Sequence, residues 1–204
     1  MPTQHTSKFF YLTIRTGIIA AILLGALSTM SSHATEAKKT PGAYPSEAEG
    51  FAFLDGHWRV FNRKLKDPDS GRDEWNEFET KAKFFTLLDG LVSVEELRNA
   101  KGEPFGSAMR TFDREKRTWS DAWVSAGTGV LQLPSHGRFV DGVGTWTAAE
   151  TIDGKTFLAR GVWRRIAKNE VIWEALDSQD GGITWLLTWK MRFERVDENG
   201  RTIK

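Results

Sequence analysis

Residues 137–146 read GRFVDGVGTW, in which short runs containing Phe, Val, Thr and Trp flank Asp141-Gly142. An Asp-Gly pair tolerates the positive φ angles of a tight turn, so this stretch predicts two antiparallel strands joined as a hairpin. The same dipeptide recurs along the chain at Asp55-Gly56, Asp89-Gly90, Asp153-Gly154 and Asp180-Gly181. The segments between these turns are rich in Val, Phe, Trp and Thr, a composition that favours β-strands.

Within these segments, residues alternate between two faces in the manner of half-buried strands. In WSDAWV, for example, Trp119, Asp121 and Trp123 share one face. We predict about ten strands, at residues 57–65, 74–86, 90–98, 105–112, 117–125, 135–140, 143–149, 155–166, 170–178 and 184–195. Because closing an antiparallel meander removes its exposed edges, the predicted fold class is all-β, a single antiparallel up-and-down β-barrel.

The first 34 residues have the pattern of a secretory signal peptide. Lys8 and Arg15 form a positive region, an apolar run covers residues 17–27, and SHA at 32–34 is typical of a cleavage site. The alternative is an uncleaved membrane anchor, but the apolar run is shorter than the roughly 20 residues that span a bilayer. We therefore expect cleavage near Ala34, a periplasmic or secreted protein, and no stable membrane anchor.

The remaining 204 − 34 = 170 residues suit one domain. We predict a flexible linker at 35–50, the barrel domain at 51–196 and a C-terminal tail at 197–204. Without Lys8 and Arg15 the chain has 28 − 2 = 26 basic residues against 27 acidic ones, so no nucleic-acid partner is expected. There is no cysteine, which excludes disulfides and thiolate chemistry. Composition does not specify the oligomeric state.

One octapeptide, SQDGGITW at 178–185, resembles the Asp-box hairpin that is repeated around sialidase propellers. A propeller needs several similar blades, whereas this pattern occurs once in a chain too short for six blades. We therefore predict that it forms the hairpin between the last two strands. In that role Asp180 accepts backbone N–H bonds across the turn, and Trp185 covers it.

The start and the end of the predicted domain carry a second resemblance. FAFLDGHWRV at 51–60 places Gly56-x-Trp58 at the entrance of the first strand, and WKMRFERV at 189–196 places Arg192 and Arg195 on the last. This arrangement resembles the calycin superfamily, the lipocalins and their relatives, in which a first-strand Gly-x-Trp packs against a basic residue of the final strand. The resemblance implies a cation–π contact that ties the two ends of the barrel together.

Other segments extend the resemblance over most of residues 51–195, including EWNEFE, RTFDREKRTWSDAWV and GRFVDGVGTW. They resemble an uncharacterised group of secreted bacterial lipocalin-like domains, which implies the calycin-type barrel and specifies no activity. Nitrobindin, a small haem-binding barrel, also begins with Gly-x-Trp and ligates iron through a histidine near its C-terminus. Here only His57 and His136 follow the signal segment, and none lies in 137–204, so neither haem nor another cofactor is expected. Two histidines also fall short of a typical zinc site, and no metal is predicted.

The candidate site residues are charged and aromatic side chains predicted to face the barrel interior. Arg110 and Arg160 each share a strand face with apolar neighbours, which predicts that both guanidiniums enter the lumen. Glu95 and Glu174 are the available internal partners, and a structural ion pair is one reading. In the other reading, the arginines meet a ligand anion. The apolar wall is then formed by Trp123, Trp146 and Trp173.

These features predict an exported barrel that binds a small apolar or anionic amphipathic molecule, oriented by Arg110 or Arg160. Two alternatives remain open. The first is an enzyme that uses the same cavity with Glu95 as general acid or base, which a pKa raised by burial would mark. The second is a structural module with a filled barrel. The sequence identifies no set of catalytic residues.

Overall fold

The structure, a computed structural model, describes residues 42–46, 49–152 and 154–203. The predicted signal peptide at 1–34 and most of the predicted linker lie outside the described residues. No helix within the described ranges is long and apolar enough to cross a membrane.

Among the described residues, ten antiparallel strands form one closed barrel in which each strand pairs with the next and β1 pairs with β10. This confirms the predicted all-β, up-and-down architecture, and every predicted strand end lies within three residues of the observed one. The closed barrel is compatible with the calycin-type fold. The strands are β1 Gly56–Leu65, β2 Trp75–Leu87, β3 Val92–Asn99, β4 Pro104–Asp113, β5 Thr118–Ser125, β6 Ser135–Val140, β7 Val143–Ile152, β8 Lys155–Ala167, β9 Glu170–Ser178 and β10 Leu186–Val196.

One end of the barrel is filled by the residues that precede β1, which we call the plug segment (51–54). It contains a short 3-10 helix, Ala52–Leu54, and both Phe51 and Leu54 are fully buried. The Phe51 ring lies 5.0 Å from that of Trp119 and 5.3 Å from that of Trp146, measured between centroids. The hydrophobic core of the molecule is therefore concentrated at this end, the plugged end.

The predicted contact between the first and last strands is present. The guanidinium carbon of Arg195 lies 4.2 Å from the centroid of the Trp58 ring. The same guanidinium donates hydrogen bonds to the carbonyl oxygens of Asp55, at 2.5 Å, and Phe53, at 2.6 Å. Gly56 has a φ of 117°, and a Cβ atom there would lie 3.0 Å from Arg195 Nη1. A glycine is needed because this backbone angle is strained for other residues and the guanidinium occupies the space.

The hairpin at 178–185 also has the predicted structure. It joins β9 to β10, and Asp180 accepts hydrogen bonds from the backbone N–H groups of Ile183, at 3.0 Å, and Thr184, at 2.9 Å. These and further bonds from hydroxyl groups hold the pKa of Asp180 well below its usual range. The Trp185 indole donates to the carbonyl oxygen of Gly182 at 3.0 Å. Asp180 is therefore engaged in the turn itself.

Candidate functional site

The centre of the barrel contains a buried group of charges on three neighbouring strands. Arg110 of β4 donates from Nη2 to Glu95 Oε2 of β3 at 2.6 Å and from Nε to Asp121 Oδ2 of β5 at 3.0 Å. The Arg110 and Glu95 side chains are only 3% and 5% exposed. Arg110 and Glu95 face the interior as predicted, and they meet each other. Asp121 is a second partner that the sequence analysis placed on the same strand face as Trp119 and Trp123 but did not assign to Arg110.

The environment of this group explains its electrostatics. Burial raises the pKa of Glu95, the charge of Arg110 opposes that effect, and the charge of Asp121 adds to it. The net direction of the pKa shift is upward because burial, the largest of these effects, outweighs the charge of Arg110. The guanidinium also lies 5.0 Å from the Phe51 ring centroid and 5.2 Å from that of Trp163. The plugged end therefore covers one side of the charged group.

Several buried polar atoms in this region have no hydrogen-bond partner among the described residues. They are Ser93 Oγ, Arg110 Nη1, Trp146 Nε1 and Trp163 Nε1. Ser93 pairs with Arg110 in the β-ladder, and the Arg110 guanidinium lies next to Trp163, so at least these three atoms belong to one neighbourhood. Three of the four atoms are N–H donors. A ligand oxygen atom next to one of them could accept a hydrogen bond from it.

Arg160 lies on the outer face of the barrel, so the prediction that its guanidinium enters the lumen is wrong. The next residue, Gly161, pairs in the ladder with the core residue Trp146, and neighbours along a strand face opposite sides. The guanidinium carbon of Arg160 instead lies 3.6 Å from the ring centroid of Trp185, in the β9–β10 hairpin. The prediction failed because Val162, an apolar residue on the same face as Arg160, is buried although that face is the outer one.

Glu174, considered as an internal partner for the arginines, also faces outward. It forms ion pairs with Arg164 and, at 3.3 Å, with Lys190. Its neighbour Trp173 takes the interior, where it packs against the core. Of the two candidate internal carboxylates, only Glu95 therefore reaches Arg110.

The three predicted wall tryptophans all face the barrel interior, and each ring lies against a glycine of an adjacent strand. A Cβ atom on Gly106 would lie 2.1 Å from the Trp123 ring, and one on Gly137 would lie 2.6 Å from the Trp146 ring. The corresponding distance from Gly161 to Trp173 Nε1 is 3.3 Å. The glycines leave room for the rings to lie along the wall. Trp146 is fully packed in the core, whereas Trp123 and Trp173 remain partly exposed.

We call the half of the barrel opposite the plug segment the open half, because its inward aromatic side chains are only partly buried. These side chains are Phe78, Phe105, Trp123, Trp173 and Trp189. The rings of Trp173 and Trp189 meet edge to face, with centroids 5.8 Å apart. The ammonium of Lys64 lies 4.3 Å from the Trp189 ring centroid, and burial lowers the pKa of Lys64. The open half therefore has an aromatic wall with one cation at its rim.

A repeated pattern that the sequence analysis missed places two carboxylates in the open half. On β7, Trp146, Ala148 and Glu150 alternate on the inner face, and on β9 the same order is given by Trp173, Ala175 and Asp177. Both strands run from the plugged end to the open end, so each tryptophan lies deep and each acid lies at the rim. The amino-acid sequence contains this pattern as Trp-x-Ala-x-acid, at residues 146–150 and again at 173–177.

The two rim carboxylates are electrostatically unusual. Neither Glu150 nor Asp177 forms an ion pair with another described residue. Burial raises the pKa of both groups, and the charge of Asp177 raises that of Glu150 further. Hydrogen bonding from Thr188 opposes the shift at Asp177. Each group is thus held in its ionised form less strongly than an ordinary surface carboxylate.

A depression lies on the outer surface, between β1, β2 and the C-terminal segment. It has a volume of about 400 Å³, and its charged side chains include Arg59, Lys81, Glu79 and Glu198. Arg59 is already engaged there, because it donates to the carbonyl oxygen of Gly200 at 3.1 Å. Its charges are of both signs, and its lining contains no cluster of aromatic faces comparable to that of the open half.

No group of three or more His, Asp or Glu side chains able to hold a metal ion occurs within the described part of the chain. His136 lies on the exterior, where its Nδ1 is 3.1 Å from Ser120 Oγ. Comparison with protein-family models gives no match, and neither does comparison with curated proteins.

Proposed function

We propose that the protein binds a small apolar or amphipathic molecule in the open half of its barrel. The observation that carries this proposal is the contrast between the two halves. The tryptophans at the plugged end are at most 2% exposed, whereas those at the other end, Trp123, Trp173 and Trp189, remain partly exposed. Partly exposed aromatic faces on the inner side of a barrel suit small-molecule binding, because a ligand completes their burial.

Small inward side chains next to these rings provide space for a ligand. Ala148, Ala159 and Ala175 occupy neighbouring positions on β7, β8 and β9, and Ala159 pairs with Ala148 in the ladder. A ligand body resting on these alanines would lie beside Trp173. Burial of its apolar surface would contribute roughly 25 cal/mol per Å² before the entropic cost of binding.

The orienting polar group differs from the one that the sequence analysis favoured. Arg110 is already bound to two carboxylates, and Arg160 is outside the barrel. The charged groups that line the open half and remain without an ion-pair partner among the described residues are Lys64, Glu150 and Asp177. We propose that these groups, at the rim, orient the polar end of the ligand.

An enzyme that uses Glu95 as general acid or base has one supporting observation, the raised pKa of that carboxyl. The side chain is only 5% exposed, however, and its Oε2 atom is held by Arg110. The ion-pair arrangement favours a structural role for this group, with ligand binding confined to the open half. The signal segment supports a further proposal, that the mature protein binds its ligand outside the cytoplasm.

A pair of matched variants tests the binding proposal. Ala148→Leu adds a larger side chain to the inner face of β7, whereas Ala149→Leu adds the same atoms to the exposed outer face. We expect the full chain to bind the fluorescent apolar probe N-phenylnaphthylamine, and Ala148→Leu to weaken that binding at least about tenfold. Ala149→Leu should leave it unchanged. Equal binding by both variants would contradict a site in the open half.

A further inference from the structure

We propose that the open half selects organic cations, that is, molecules with an apolar body and a protonated amine or quaternary ammonium group. This inference rests on the proposed binding function and specifies the class of ligand. The sequence predicted a small apolar or anionic amphipathic molecule, and this inference replaces the anionic group by a cationic one. The features that carry it are the two rim carboxylates, the aromatic faces beside them and the overall charge of the lumen.

The first argument is the position of Glu150 and Asp177. They lie at the rim on strands that flank β8, close enough for the charge of Asp177 to act on Glu150. Neither is neutralised by a cationic side chain of the described residues. Asp177 is only partly exposed; a partly buried carboxylate without a counter-ion is costly, and a bound cation would remove that cost.

The second argument is the balance of charges along the lumen. Between the plug segment and the rim, the inward cationic side chains are Lys64 and Arg110, whereas the inward carboxylates are Glu95, Asp121, Glu150 and Asp177. The formal sum is 2 − 4 = −2 when all are ionised. Arg110 already serves Glu95 and Asp121, so the rim retains an excess of negative charge even with Lys64 present. An anionic ligand would be repelled there.

The third argument is the aromatic wall. Trp173 precedes Asp177 on the inner face of β9, with only Ala175 between them on that face. Trp189 meets the Trp173 ring edge to face, and it already accepts the Lys64 ammonium over its own ring. Tryptophan faces attract cations through their quadrupole, most strongly where water is excluded. A ligand whose ammonium group lay near Glu150 and Asp177 and whose apolar part lay against Trp173 would contact both the carboxylates and the aromatic wall.

Three probes that share one phenyl ring and differ in charge test the inference. We would measure binding of phenethylamine, phenethyl alcohol and phenylpropionate to the full chain, by calorimetry at neutral pH and low salt and by competition with N-phenylnaphthylamine. The expected order of affinity is amine, then alcohol, then carboxylate, with at least about tenfold between the first and the last.

Neutralising variants identify the source of the preference. In the double variant Glu150→Gln with Asp177→Asn, the amine should bind about tenfold more weakly, while the alcohol should bind within about twofold of its original affinity. Glu79→Gln removes a carboxylate from the outer face of β2 and serves as the matched control, which should change neither value. Circular dichroism spectra and melting curves establish that each variant is folded.

Each outcome separates the two proposals. If the alcohol or the carboxylate binds as tightly as the amine, the inference of cation selectivity is wrong and the binding proposal stands. If the double variant keeps the preference for the amine, the assignment of that selectivity to Glu150 and Asp177 is wrong and the binding proposal again stands. If neither N-phenylnaphthylamine nor any of the three phenyl probes binds, both proposals fail.

Discussion

At the scale of single residues, the charged group around Arg110 determines how far the interior is available to a ligand. One guanidinium holds two carboxylates in a region where each side chain is largely removed from water. Replacing such a group by apolar residues is often neutral, but removing one partner leaves a buried charge uncompensated. The arrangement therefore fixes β3, β4 and β5 relative to one another and forms the floor of the open half.

Removal of the Arg110 guanidinium should strongly lower the stability of the fold. We expect Arg110→Met to lower the free energy of unfolding at neutral pH by about 3–5 kcal/mol, measured by urea denaturation. Arg98→Met, which breaks the exposed pair with Glu96, should cost at most about 1 kcal/mol.

The deficit of Arg110→Met should shrink as the pH falls. Burial raises the pKa of Glu95 in the folded state, and loss of Arg110 removes the charge that opposes this rise, so the folded variant takes up a proton more readily than the unfolded chain does. If Arg110→Met and Arg98→Met lose equal stability at neutral pH, the role assigned to the buried charges is wrong.

At the scale of strands, glycines and tryptophans form complementary pairs across the ladder. Gly137 of β6 pairs with Trp146 of β7, and the tryptophan ring occupies the space that a side chain on the glycine would need. This packing places a large ring flat against the wall and explains how the barrel accommodates several inward tryptophans.

Gly137→Ala should therefore displace the Trp146 ring. A Cβ atom there would lie 2.1 Å from the carbonyl oxygen of Thr145, closer than any relaxed contact. We expect a loss of roughly 1–3 kcal/mol in thermal unfolding, the usual cost of overpacking. Gly127→Ala is the control, because its nearest contact would be 3.6 Å from Ser125 Oγ and the change should stay within about 0.5 kcal/mol. Equal melting temperatures for the two variants would contradict the close packing.

The strand pattern was predictable because turns and alternation are local properties of the chain. Asp-Gly pairs located the β2–β3, β6–β7 and β9–β10 hairpins, whereas Asp55-Gly56 lies at the start of β1. Gly56-x-Trp58 with Arg195 anticipated the contact between the first and last strands. The sequence did not predict which residues of β8 face inward, because buried residues occur on both faces of this strand. Arg160 was therefore assigned to the inner face, whereas it lies on the outer one. The pairing of Arg110 with Asp121 needed the ladder register, and the plug segment needed tertiary contacts.

At the scale of the whole molecule, the barrel is divided into a packed half and an aromatic open half. The plug segment and the core aromatics provide stability at one end, and the buried charges separate this region from the other. A ligand site confined to one half is compatible with a rigid fold, because binding there does not require the core to repack.

The most direct measurement is a native mass spectrum of the full-length gene product purified from its own host, compared with the spectrum of the denatured chain. We predict an excess mass that disappears on denaturation, persists in Ala149→Leu and is lost in Ala148→Leu. A bare protein mass, together with no binding of N-phenylnaphthylamine, would contradict the account and favour a barrel filled by its own side chains. An excess mass that persists in Ala148→Leu would place the ligand outside the open half.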